Sequence, residues 1–125
     1  MATGDNTVVL VMREPDSPAA DEVVAWLAEQ LDGWSDHEVV RVGVVVDELV
    51  DNARRYGEPP YVLQLVWDDA WSTLVVIVCD RPTAPPGPWL PRAGLVLVEA
   101  LTLGWGVESD ADHTVVWAHL RFDDW

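Results

Sequence analysis

Val42, Val46, Leu49 and Ala53 recur at i, i+4, i+7 and i+11. That spacing lays one apolar stripe along a helix. Ser35-Asp36-His37-Glu38 reads as a capping box, with the serine capping forward and the glutamate reaching back, and it predicts the helix start. Gly57, after Tyr56, predicts its end. Valine is a weak helix former, so a strand over Val39 to Val46 has to be weighed. The box, the spacing and the glycine stop agree with one another and favour the helix. Glu48 and Asn52 lie four apart, on one face beside the stripe. A carboxylate and an amide placed together at a core boundary suit a hydrated divalent cation and the orientation of a water or hydroxyl.

The pattern elsewhere predicts six more elements. Thr7 to Met12 is a β-rich apolar run. Ser17-Pro18 predicts a helix start, a capping hydroxyl before a proline, with Val23, Val24, Leu27 and Leu31 inward and Asp32-Gly33 as the stop. After the central helix, Glu58-Pro59-Pro60 reads as a turn. Tyr61 to Trp67 and Ser72 to Asp80 form a hairpin over a polar turn at Asp68-Asp69. Arg81 to Arg92 is proline-rich and predicts a surface loop. Gly94 to Leu103 is a third helix with Leu95, Val98 and Leu101 or Thr102 inward, stopped by Gly104-Trp105-Gly106. Ser109 to His113 is a turn, and Thr114 to Phe122 a last strand. The order strand, helix, helix, strand, strand, helix, strand implies an α+β two-layer sandwich: a mixed, mostly antiparallel sheet with helices on one face.

Length and charge narrow the function. With 125 residues, half of them apolar, the expectation is one globular domain over residues 1–125. The net charge of -15 and the absence of lysine exclude a nucleic-acid partner of the phosphate-neutralising kind. Cys79 is the lone cysteine and sits in an apolar run, so it reads as a small buried hydrophobe. The three histidines are too scattered for a zinc site, and His113 reads as a turn residue. No secretory leader and no membrane-length apolar run is read, so the expected location is the cytoplasm. Asp47, Asp51, Arg54 and Arg55 read as a solvated face with helical ion pairs. Of the eight tryptophans, Trp26, Trp67 and Trp117 fit inward or edge positions, while Trp89 and Trp125 are candidates for partner contact.

Four segments together resemble a known family. Glu48-Leu49-Val50-Asp51-Asn52-Ala53 followed by Arg55-Tyr56-Gly57 is similar to the N-box of the histidine-kinase-like ATPases. Val78-Cys79-Asp80 resembles the start of their adenine-binding motif. Gly94 to Leu101, then Trp105-Gly106-Val107, resembles the segment after their phosphate loop. Thr114 to Ala118 resembles their threonine-bearing final strand. The likeness spans nearly the whole chain, in order, and is nearest to the small anti-sigma-factor serine kinases of actinobacteria.

The resemblance implies roles for particular residues. Glu48 would be the general base toward a serine hydroxyl or water. Asn52 would hold the magnesium of Mg-ATP. Asp80 would accept from the adenine amino group, with Thr114 supporting it. Gly94 and Leu95 would lie at the nucleotide, Gly94 opening backbone amides to a phosphate. The implied activity is that of an ATP-binding regulator, a serine/threonine protein kinase that binds a sigma factor or phosphorylates an anti-sigma-factor antagonist. No membrane is implied, and a homodimer is admitted. The sequence also departs from the family. Pro82, Ala84 and Arg92 stand where the family has glycines, Tyr56 stands for its histidine, and the lid stretch has no lysine. These departures define the alternative: a protein-binding module on the same fold, catalytically degenerate, with weak or no ATP binding.

Overall fold

The computed structural model describes residues 7–14, 19–70, 72–82 and 93–122. Its elements run β1 (Thr7–Met12), α1 (Ala20–Gln30), α2 (Asp36–Tyr56), β2 (Gly57–Asp68), β3 (Thr73–Pro82), α3 (Ala93–Leu101), β4 (Gly104–Ser109) and β5 (Thr114–Arg121). The five strands form one sheet in the order β1-β2-β3-β5-β4. All four pairings are antiparallel, so the mixed sheet that the sequence allowed resolves to one direction of pairing. The class is α+β, as the pattern predicts.

Helix α2 follows from its sequence with little help. The Ser35 hydroxyl accepts from the Glu38 backbone N–H at 3.1 Å, and the Glu38 carboxylate accepts from Ser35 N–H at 2.9 Å. This satisfies orphan donors at the helix start. Val42, Val46, Leu49 and Ala53 are all buried, joined by Val45 and Val50. On the opposite side Arg55 pairs with Asp51 at 3.1 Å, both well exposed.

One core unites the layers. Val23 and Leu27 of α1, the α2 stripe and Val98 of α3 pack on Leu63, Leu65, Leu74, Val76, Val78, Val116, Ala118 and Leu120 of the sheet. Alternation along β3 and β5 sends the other residues outward. Val75, Ile77, Val115 and Trp117 are half-buried there, and Val9 and Val11 of β1 are 47% and 42% exposed.

Six expectations are corrected. Val24, expected inward with Val23, Leu27 and Leu31, is 56% exposed. Residues 104–109 form β4 rather than a helix stop and a turn, and Leu101 ends α3. A Cβ at Gly106 would lie 2.7 Å from Cε2 of Trp117. The glycine is there for the indole above it in the sheet. Glu58-Pro59-Pro60 is not a turn. It is an irregularity inside β2, where the pairing register shifts between Glu58 and Val62. Arg81 and Pro82 are not loop. They extend β3 and pair with Glu58 and Gly57. The cap of α1 is Ala19, two residues past Ser17, with Glu22 accepting from the Ala19 N–H at 3.2 Å. Cys79 lies half-buried on the outer face of β3 instead of in the core. Ser17-Pro18, Trp89, Arg92 and Trp125 lie outside the described residues.

Candidate functional site

Among the described residues, three polar or charged side chains are buried: Asn52, Asp80 and Thr114, at 6%, 7% and 8% exposure. All three belong to the set that the sequence singled out. Burying a polar group is costly unless something satisfies it. Among the described residues neither the Asn52 amide nor the Asp80 carboxylate makes a hydrogen bond.

The sheet brings Asp80 and Thr114 together. They are direct partners at the last rung of the β3–β5 ladder. The β4–β5 turn fixes that rung. Asp110 accepts from the backbone N–H groups of Asp112 at 2.7 Å and His113 at 2.9 Å. Those bonds hold its carboxyl below the usual carboxylate range. The Thr114 hydroxyl then shares a hydrogen bond of 3.0 Å with Ser109. His113 is exposed in this turn, as expected.

The end of α2 closes on the same place. Gly57 caps the helix, its N–H donating to Ala53 O, and it pairs with Pro82. A Cβ at Gly57 would lie 2.6 and 2.7 Å from the two Asp80 carboxylate oxygens. Such separations are far inside contact distance, so the Asp80 side chain occupies the space that any other residue would fill. In the sequence Gly57 reads as the helix stop. Its second role as the seat of Asp80 depends on the β2–β3 pairing continuing past the predicted hairpin to Gly57 and Pro82. Asn52 sits five residues earlier, about 7.5 Å along the helix axis, and Glu48 about 6 Å beyond it.

Burial pushes the Asp80 carboxyl up to about 7. The low-dielectric site disfavours its charge, and no cation among the described residues offsets that. The same setting acts on Cys79. Burial raises its thiol pKa, and the charges of Asp80 and Asp110 add to the effect. A thiol held protonated is a poor nucleophile.

Glu48 is half-buried, one helical turn from Asn52 and on the same face. Gly94 and Leu95 lie in the first turn of α3, which packs on α2. The far end of α3 is tied down by Arg41, whose Nε donates to Leu101 O at 3.1 Å. Among the described residues no three His, Cys, Asp or Glu side chains are grouped to hold a metal. An ion at this site would therefore bring most of its own ligands. Magnesium bound to phosphate oxygens and water does so, and needs one or two protein oxygens. The Asn52 amide, buried beside Glu48, fits that requirement.

No family model and no curated protein matches the chain. A solved structure does: the crystal structure of the RsbU and RsbW domains of Rv1364c from Mycobacterium tuberculosis, with a TM-score of 0.70 at 20% sequence identity. The match covers 92% of this chain and 32% of that one. At this identity the likeness is one of fold: the chain shares the α+β architecture of part of that structure.

Proposed function

We propose that the chain is an ATP-binding regulatory domain of the anti-sigma-factor serine kinase type. The observation that carries this is the buried trio of Asn52, Asp80 and Thr114, because among the described residues these alone are polar and buried. A site that holds an amide and a carboxylate in its interior, with no hydrogen bond from another described residue, is suited to a ligand that supplies both a cation and hydrogen-bond donors. Mg-ATP is such a ligand. Asn52 would hold the magnesium, Asp80 would accept from the adenine amino group, and Thr114 would steady the Asp80 end of the sheet. Gly94 and Leu95 would bring backbone amides to the phosphates. Bound magnesium would supply charge neutralisation of the phosphates. Glu48 would take the proton from an attacking hydroxyl. As one domain in a cytoplasmic setting, it would act on a sigma factor or an anti-sigma-factor antagonist. The apolar outer sheet face supports a homodimer.

Calorimetric titration with Mg-ATP should give saturable, magnesium-dependent binding that Asn52→Ala and Asp80→Ala abolish. No heat at millimolar Mg-ATP would sink the proposal. A second reading rests on Pro82, which closes β3 two residues past Asp80 where the family has a glycine. Proline lacks the N–H that a close-lying nucleotide would use. On that reading the fold is retained for protein binding alone. It predicts partner capture that is indifferent to ATP and to Glu48→Ala.

A further inference from the structure

The end of the sheet away from Asp80 and Thr114 carries a second concave surface. Thr73 and Asp80 mark opposite ends of the β3–β5 ladder, about 23 Å apart at the rise of a strand. At the Thr73 end, three aromatic rings meet from three distant parts of the chain. Trp34 follows α1, Trp67 nears the end of β2, and Phe122 follows β5. Trp34 stands edge-to-face on both of the others, with centroids 5.1 Å apart and interplanar angles of 70° and 72°. Trp34 and Trp67 are only half-buried.

Two clefts flank this pair and share it. One, of about 240 Å³, is lined mostly by apolar side chains, Val8, Leu31, Leu65 and Leu74, with Gln30 among them. The other, of about 320 Å³, is lined by Gly33, Glu38, Ser72 and Phe122. Glu38 uses Oε1 on the Ser35 N–H, which leaves its second oxygen for another donor. Exposed Asp32, Asp36, Asp68 and Asp69 lie on the segments that frame the clefts. The cations of the same region are Arg41 and Arg121, with His37 next to Glu38 in sequence. Arg41 is already committed, donating to Leu101 O and to Arg121 O at 2.8 Å. Its guanidinium carbon also lies 4.8 Å over the Phe122 ring. The aromatic cluster thus already receives one cation from the protein, on a ring face suited to cation–π contact.

We propose that these joined clefts bind a small organic cation carrying an apolar tail. The tail fills the Val8–Leu31–Leu65–Leu74 cleft. The cation sits against Trp34 and Trp67 in the cleft that Glu38 also lines. Charge complementarity selects the cation, since carboxylates outnumber cationic side chains around the clefts and no lysine exists in the chain to compete. The apolar cleft selects the tail. The site shares no residue with the proposed nucleotide site, so either can fail alone.

The probe is hexyltrimethylammonium, titrated into the nucleotide-free chain and followed by the indole N–H resonances of a nitrogen-15 spectrum. Tetramethylammonium and 1-hexanol serve as the cation-only and tail-only arms. Saturable shifts of the Trp34 and Trp67 resonances are expected, at least tenfold tighter for the amphipathic cation than for either arm, and weaker in high salt. Glu38→Gln keeps an oxygen for the Ser35 N–H and removes the charge; it should weaken binding about tenfold with helix content unchanged. Trp34→Leu should weaken it by a similar factor. Absence of saturable shifts up to about 10 mM overturns the proposal. So does equal binding of 1-hexanol, or full affinity in Glu38→Gln.

Discussion

Replacing Asp80 by asparagine should make the protein more stable at neutral pH and remove most of its stability change between pH 4 and 7. Asp80 is 7% exposed, and burial raises its carboxyl from 3.8 to about 7. A raised folded-state value means that the folded protein holds the proton more tightly than the unfolded chain does. The favourable contribution is therefore fully present below about pH 4. It is lost as pH rises toward 7, and the curve is flat above that. The gap between 3.8 and about 7 sets an upper bound of about 4 kcal/mol, at 1.36 kcal/mol per tenfold change in proton affinity, and solvent screening of the carboxylate brings the expected effect to about 2 kcal/mol. Urea unfolding of a chain this size falls by about 2 kcal/mol per molar. Wild type should then lose about 1 M in midpoint relative to Asp80→Asn between pH 4 and 8. Taking the difference between the two proteins cancels the other carboxylates, Asp110 included. Asparagine keeps the shape and an acceptor oxygen, so the comparison isolates ionisation. If the two proteins keep a constant difference across this range, Asp80 is not desolvated in the folded state and the reasoning about the site fails.

Three further substitutions test the structure around it. Gly57→Ala should cost about 1–3 kcal/mol in urea unfolding, because its Cβ overlaps the Asp80 carboxylate, and it should weaken Mg-ATP binding at least tenfold by calorimetry. Gly106→Ala should cost a similar amount by displacing the Trp117 indole, visible as a change in tryptophan fluorescence, yet leave nucleotide binding unaltered. Ser35→Ala removes the hydroxyl that accepts from Glu38 N–H; it should lower stability by about 0.5–2 kcal/mol in thermal unfolding, without affecting any ligand.

Much of the central helix was legible because its determinants are local. A capping box needs residues three apart, and an apolar stripe needs residues three or four apart, so Ser35, Glu38, Val42 and Leu49 declare themselves in one dimension. The placement of Glu48 and Asn52 on one face of α2 was legible for the same reason. Strand β4 was not. Its glycines at 104 and 106 read as a helix stop, and the available signal, Trp105 and Val107 alternating toward the core, was too short to outweigh them. The aromatic cluster left no signal at all, since Trp34, Trp67 and Phe122 are separated by dozens of residues.

By itself, then, the sequence determined the helix, its polar edge at Glu48 and Asn52, and the alternation of the long strands. Those depend on backbone hydrogen bonds and side-chain period, which act over a few residues. The tertiary structure decided which buried groups meet. Asp80 faces Thr114 because β3 and β5 pair antiparallel in that register, and it fits because β2 presents Gly57, with no Cβ, where the carboxylate needs room. Proximity between residues far apart in sequence is set by strand register and by steric exclusion, and both exist only once the sheet has formed.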